Sequence, residues 1–133
     1  MDHEAAKKVA EAFVDALERS DAYAVFDDDV FCDINVPEWR FQMQGVAAAD
    51  EWLKSELPDG ARVPSWRSDP TADGVVVEID ERYDRDGVEI SSRNIHRLEV
   101  RDGKVTSWTM YCTGEWTPER RERQAREAPM LRP

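Results

Sequence analysis

The chain has 133 residues, 35% of them charged, and a formal net charge of -11 at pH 7. This length allows one domain with a real core, and 41% hydrophobic residues with five Trp indicate a folded globule. Nucleic acid and anionic membrane surfaces would be repelled by so acidic a chain, and we expect neither as a partner.

The start of the chain has no apolar segment of the secretory type, and no stretch is apolar for long enough to span a membrane. Cys32 and Cys112 have neither CxxC nor metal-ligand spacing. We therefore expect a cytoplasmic protein with two reduced, buried cysteines and no bound metal.

Three helices are predicted in the first half of the chain. Residues 3–21 put apolar side chains on one face at helical spacing and charged ones on the other. A short second helix is expected at 21–26. Residues 27–36 and 40–45 are predicted to be two paired strands, and residues 46–57 are predicted to form the third helix.

The second half changes to the two-residue period of strands. Its four predicted strands cover residues 61–69, 74–84, 88–100 and 104–116. An Asp-Gly pair separates each strand from the next, at positions 73–74, 86–87 and 102–103, which is a strong hairpin signal.

These elements predict an α+β domain at residues 1–116, in which a cone-shaped, curved antiparallel sheet packs on three N-terminal helices. Residues 117–133 carry five Arg against three Glu. They are expected to form a helix that lies on the sheet or on a partner, or a partly disordered tail.

The alternation of the third long strand places Ser92, Asn94, His96 and Leu98 on one face, and its apolar members mark that face as inward. A histidine has an unperturbed pKa of about 6.5, which suits general acid or base work. Polar neighbours on the same face favour a ligand site. A hydrogen-bonded core histidine is the alternative.

The segments DDDVFCDINV, GVAAADEWL and RLEVRDGKVTSWTMY resemble the nuclear transport factor 2-like superfamily, and within it the SnoaL-like and ketosteroid-isomerase-like enzymes. The resemblance extends from Glu4 to about Trp116. It implies a pocket inside the cone, with acid/base groups on its inner face. His96 stands where the isomerases have a pocket acid that binds the substrate carbonyl.

The isomerases take their general base from the first strand, where Asp33 is the candidate, one residue short of the isomerase spacing. Both faces of this strand are half apolar, so the pattern does not decide which of them points inward. A limonene-epoxide-hydrolase-like site would need an Arg flanked by two Asp. Arg93 and Asp80 fall on the outer face by parity, so we do not expect that site.

The resemblance implies a small cofactor-independent enzyme that isomerises, cyclises or dehydrates a hydrophobic cyclic carbonyl or polyketide-like compound. The catalytic candidates are His96, Asp33 and Asn94. The substrate-binding candidates are Trp108, Met110, Tyr23, Trp66 and Tyr83. The alternative is a non-catalytic protein that binds an apolar small molecule in the same pocket. A homodimer is expected because the outer face carries Ile95 and Tyr111.

Overall fold

A computed structural model describes residues 1–132, and Pro133, the last residue of the expected tail, lies outside the described residues. The helices are α1 (His3–Arg19), α2 (Val46–Glu56) and α3 (Pro118–Glu127), with a 3-10 turn at Ala22–Ala24. The strands are β1 (Phe26–Val36), β2 (Trp39–Gln44), β3 (Arg62–Pro70), β4 (Gly74–Arg85), β5 (Val88–Arg101) and β6 (Lys104–Cys112).

The six strands form one sheet in the order β2-β1-β6-β5-β4-β3. The predicted meander is confirmed, since each strand from β3 to β6 pairs antiparallel with the next. The sheet is mixed, because β1 and β6 are parallel. The chain crosses through α2 from β2 to the far edge, and the meander then returns β6 to the side of β1.

Helices α1 and α2 cover the inner face of this sheet, α1 against β3 and β4 and α2 against β1. The Asp2 carboxylate accepts a hydrogen bond from the Ala5 N–H at 2.9 Å and so caps the start of α1. The helix ends where Ser20 takes the left-handed conformation (φ 54°). Phe13 and Leu17 on its inner side are buried.

The short second helix expected at 21–26 is a single 3-10 turn, Ala22–Ala24, between α1 and β1. The side chain of Asp21 accepts a hydrogen bond from the Tyr23 N–H at 3.1 Å, and that of Asp50 accepts one from the Ala22 N–H at 3.0 Å. Both bonds satisfy backbone N–H groups at the start of this turn, which have no acceptor within a helix. The chain enters β1 at Phe26, and the third α-helix of the fold is C-terminal.

Two of the three Asp-Gly pairs form the expected tight turns. Asp86, Gly87, Asp102 and Gly103 all have positive φ, as a type I′ hairpin turn requires. The remaining pair has another role, since its glycine lies inside β4. A Cβ at Gly74 would come within 1.9 Å of a backbone oxygen on β5, so glycine is required there by the close approach of two strands.

The C-terminal segment folds back on the outer face of the sheet. Trp116 exchanges backbone hydrogen bonds with Ser91 on β5, and the Thr117 hydroxyl caps α3 by accepting from the Arg120 N–H at 3.2 Å. Of the expected alternatives for the tail, residues Pro118–Glu127 take the helical one. No described helix has the length and apolar character needed to cross a membrane.

Candidate functional site

A cavity of about 90 Å³ lies between α1, α2 and the inner face of the sheet. Its wall is mostly apolar and is formed by Leu17, Val36, Trp52, Leu53, Leu57, Tyr83, Trp108, Met110 and Cys112. Four further side chains bring polar atoms to the cavity: Glu56, Glu81, Asn94 and His96. An apolar cavity with a few convergent polar groups is the usual form of a small-molecule site.

His96 lines this cavity with only 1% of its surface exposed. Its Nδ1 accepts a hydrogen bond from the Trp108 indole N–H at 3.0 Å. An indole N–H can only donate, so Nδ1 carries no proton and the neutral ring is protonated on Nε2. No group within residues 1–132 pairs with Nε2. The imidazole therefore offers one free N–H donor.

Burial lowers the pKa of His96 to about 3, because the imidazolium cannot be solvated there. Its ring meets that of Phe13 edge-on, with 4.8 Å between the ring centroids. At neutral pH the ring is uncharged. The expectation of a proton shuttle rested on an ordinary pKa, and the geometry suits His96 better to donating a hydrogen bond to an oxygen.

Glu81 is the buried carboxyl of the cavity, with 8% of its surface exposed. Desolvation raises its pKa, the negative charge of Asp80 adds to the rise, and a hydrogen bond from Asn94 partly opposes it. The neighbouring Arg82 pairs with Asp80 instead. A carboxyl whose pKa is moved toward neutrality can both accept and return a proton.

Asn94 connects the polar groups of the cavity. It is 3% exposed, and its Oδ1 accepts a hydrogen bond from the Ser92 hydroxyl at 3.4 Å. Its amide also lies close enough to Glu81 to lower the pKa of that carboxyl.

The strand register places His96 and Glu81 at different positions along the strands. His96 pairs with Val77 on β4, whereas Glu81, farther along β4, pairs with Ser92. The four-residue offset corresponds to roughly 13 Å along the strands. This is the spacing of the backbones; the side chains of Glu81 and His96 both line the one cavity, and a molecule held there can contact the two of them.

A second carboxylate, Glu56, differs from Glu81 because it is ion-paired. Arg85 contacts Glu56 at 3.1 Å and Glu115 at 2.7 Å, and its guanidinium lies over the Tyr83 ring at 5.4 Å. This pairing ties the end of α2 to the segment after β6. An ion-paired, half-exposed carboxylate is a poor base, so Glu81 is the better candidate for proton transfer.

Asp33 does not reach the cavity, which corrects its expected role as the general base on the first strand. In the parallel pairing of β1 with β6, Ile34 stands beside Met110, so Ile34 faces inward and Asp33 faces outward. Its carboxylate binds Arg40 through two hydrogen bonds, at 2.9 and 2.7 Å. Arg40 holds the pKa of that carboxyl below its usual value.

Three of the five expected substrate-binding residues, Trp108, Met110 and Tyr83, line the cavity. Tyr23 is 52% exposed on the 3-10 turn, and Trp66 lies on β3 away from the cavity, so neither can contact a molecule held there.

The outer-face placement of Arg93 and Asp80 is confirmed. Arg93 pairs with Glu78 at 3.1 Å, and Asp80 pairs with Arg82. None of the described side chains that line the cavity is an arginine or an aspartate. No three histidine, cysteine or acidic side chains in the described part of the chain come together as a metal site.

Glu81 is the functional candidate that sequence reasoning missed. It lies two residues after Ile79 and two before Tyr83, both buried on the inner face of β4, and strand parity alone places it with them. The signal in the sequence was a charged residue at an inward strand position between apolar residues.

Solved structures with the same fold include an NTF2-like protein from Anabaena variabilis, with TM-score 0.67 and 21% identity over 86% of this chain and 95% of that one. A candidate polyketide cyclase from Xanthomonas campestris has TM-score 0.66 and 22% identity, covering 81% and 90%. An LEH-like epoxide hydrolase from M. tuberculosis has TM-score 0.65 and 21% identity, covering 82% and 83%.

No protein-family model and no curated protein matches the chain. The structural similarities establish the class: this is a protein with the nuclear transport factor 2-like α+β fold. At such low identity they show the fold alone, and activity has to be argued from the cavity.

Proposed function

We propose that the protein is a small, cofactor-independent enzyme that transfers a proton at the carbon next to the carbonyl group of a compact apolar compound. The observation that carries the proposal is the pairing of two groups in one cavity. Glu81 is a buried carboxyl without an ion-pair partner among the described residues, and the neutral His96 has a free Nε2–H. A base and an oxyanion donor are what enolisation requires.

In the proposed step an oxygen of the ionised Glu81 takes the proton from the carbon. The C–H bond breaks, an O–H bond forms on Glu81, and the electron pair moves to the carbonyl oxygen as an enolate. The Nε2–H of His96 donates a hydrogen bond to that oxygen as its charge develops. Glu81 then returns the proton to the same carbon or to another carbon of the conjugated system.

Two further residues position these groups. The Trp108 indole N–H fixes the His96 tautomer through Nδ1, so that the proton stays on Nε2. The amide of Asn94 lies close to the Glu81 carboxyl and lowers its pKa. We assign both as positioning residues.

The size of the cavity favours a single-ring or short-chain substrate. Its volume of about 90 Å³ is well below the roughly 300–1,000 Å³ of sites for drug-sized ligands. The wall is mainly apolar, which suits a compound with one carbonyl group. We therefore narrow the expected substrate class from polyketide-like compounds to small cyclic ketones and enones.

Deuterium exchange tests the proposal without knowledge of the natural substrate. A panel of small cyclic ketones and enones is incubated in D₂O with the protein, and NMR follows deuterium incorporation next to the carbonyl. The protein is expected to accelerate exchange for at least one member. Glu81→Gln should remove the acceleration, since an amide cannot accept the proton. His96→Gln should reduce it by about tenfold or more.

Glu78→Gln is the matched control, because Glu78 lies on the same strand but on the outer face, paired with Arg93. It should exchange protons at the wild-type rate. If no member of the panel responds, or if Glu78→Gln and Glu81→Gln behave alike, the proposed proton transfer is wrong.

The second candidate function is non-catalytic binding of an apolar small molecule, which the mainly apolar wall of the cavity favours. Native mass spectrometry of the freshly purified protein, followed by extraction, separates it from catalysis. A bound compound that is recovered unchanged, and whose carbon-bound protons do not exchange on the protein, would favour the binding function.

A further inference from the structure

A second and larger cavity, of about 670 Å³, lies on the outer face of the sheet. Strands β3, β4 and β5 form its floor, and α3 with the residues that follow it forms its roof. It lies on the opposite side of the sheet from the cavity that contains His96, so it is not part of the site described above.

Its wall is rich in arginine although the chain as a whole is strongly acidic. Arg82, Arg93, Arg121 and Arg132 line it, against the single carboxylate of Asp80. The chain carries a net charge of -11. Four arginines against one aspartate along this cavity give it a positive balance of charge that the chain as a whole lacks, and such a balance favours an anion.

Paired carboxylates do not neutralise all of the positive charge of these arginines. Arg82 is paired with Asp80, and Arg93 pairs with Glu78 at 3.1 Å, but Arg121 approaches Glu89 only to 3.7 Å, beyond hydrogen-bond distance. Neither Glu78 nor Glu89 is among the residues that line the cavity.

Arg121 provides the most specific observation. Its Nε atom is buried from solvent and pairs with nothing in the described chain. A buried, charged donor without an acceptor is unfavourable, and such groups in folded proteins normally have a partner. Arg121 lines the cavity from α3 with 33% of its side chain exposed, so an oxyanion bound there can accept a hydrogen bond from its guanidinium.

The other residues of the wall indicate which further groups the ligand can carry. The Thr113 hydroxyl accepts a hydrogen bond from the Arg93 N–H at 3.0 Å, which leaves its own proton free to donate. Trp116 and Met130 add apolar surface. A volume of about 670 Å³ is larger than an inorganic anion needs.

We propose that this outer cavity binds a small organic anion through Arg121 and Arg93, with a phosphate or carboxylate head and an aromatic or apolar body against Trp116. Arginine is suited to both head groups because its planar guanidinium can donate two parallel hydrogen bonds to either. The proposal does not depend on the activity proposed for the inner cavity.

Isothermal titration calorimetry at low salt tests the proposal with phenyl phosphate, benzoate and the uncharged benzyl alcohol as probes. We expect phenyl phosphate or benzoate to bind and benzyl alcohol not to bind, and the tighter of the two anions identifies the head group. Binding should weaken as salt is added.

Arg121→Gln should weaken the binding of the anion by about tenfold or more, since it removes a hydrogen bond to a charged group. Arg93→Gln should weaken it from the sheet side without altering α3. Arg126→Gln is the matched control on α3, because Arg126 is exposed, pairs with Glu122 and does not line the cavity.

Two results would overturn the proposal. One is that neither anion binds at millimolar concentration. The other is that Arg121→Gln and Arg93→Gln both bind the anion as tightly as Arg126→Gln. Circular dichroism of each variant establishes that α3 is retained, so a loss of binding can be assigned to the missing guanidinium.

Discussion

Acidification should destabilise the protein through His96 by a calculable amount. The pKa of the buried imidazole is about 3 in the folded state, and it is about 6.5 in an unfolded chain. A base whose folded pKa is lowered contributes stability above its unfolded pKa and loses it as the pH falls. The reason is that the unfolded chain takes up the proton first.

Between about pH 7.5 and about pH 5, the folded imidazole stays neutral while the unfolded one becomes almost fully protonated. At roughly 1.4 kcal/mol for each pH unit below 6.5, the free energy of unfolding should fall by about 2 kcal/mol from His96 alone. Glu81 acts in the opposite direction because burial raises its pKa. The contribution of His96 is therefore measured as the difference between the wild type and a variant that lacks this imidazole.

Urea unfolding followed by Trp fluorescence measures the effect at both pH values. The wild type should lose about 2 kcal/mol more stability on acidification than His96→Gln, which has no group that titrates there. His3→Gln is the matched control, since it removes an exposed imidazole, and should follow the wild type. Equal losses in the wild type and in His96→Gln would refute the assignment of a buried, neutral His96.

Two further predictions concern packing and assembly. Gly74→Ala should destabilise the protein by about 3 kcal/mol in urea unfolding, because its Cβ would meet the Leu98 oxygen at 1.9 Å. Gly87→Ala is the control: its Cβ would have free space but its φ is positive, so it should cost only about 1 kcal/mol. Equal losses of stability in the two variants would contradict this explanation. We also propose that two copies pair through the outer face, where Ile95 and Tyr111 are 46% and 60% exposed. Sedimentation equilibrium should show a dimer for the wild type and a monomer for Ile95→Glu. A monomeric wild type would contradict the pairing.

The inward-facing residues of β5 were predictable because only one of the two possible alternations puts its apolar side chains inside. Leu98 and the type I′ turn at Asp102–Gly103 fix the parity, and His96 and Asn94 follow from it. The bond from Trp108 to His96 was not predictable. It joins two residues twelve positions apart, and only the register between β5 and β6 brings their side chains together.

The first strand shows the limit of pattern reasoning. Its two faces are almost equally apolar in sequence, so the choice of the inward face depends on its partner β6, a long-range parallel pairing. Asp33 was selected by resemblance and lies outside. The pKa of His96 was also beyond the sequence, since it depends on burial beneath Phe13 and not on its neighbours in the chain.

The central claim is that His96 presents a free Nε2–H to the cavity, and ¹⁵N NMR of the imidazoles tests it most directly. Signals that are absent from His96→Gln belong to His96. At neutral pH they should show a protonated Nε2 and an unprotonated Nδ1, and the Nε2–H proton should shift when phenol, a small mimic of an enol, is added. An imidazolium at neutral pH, or a proton on Nδ1, would contradict the account.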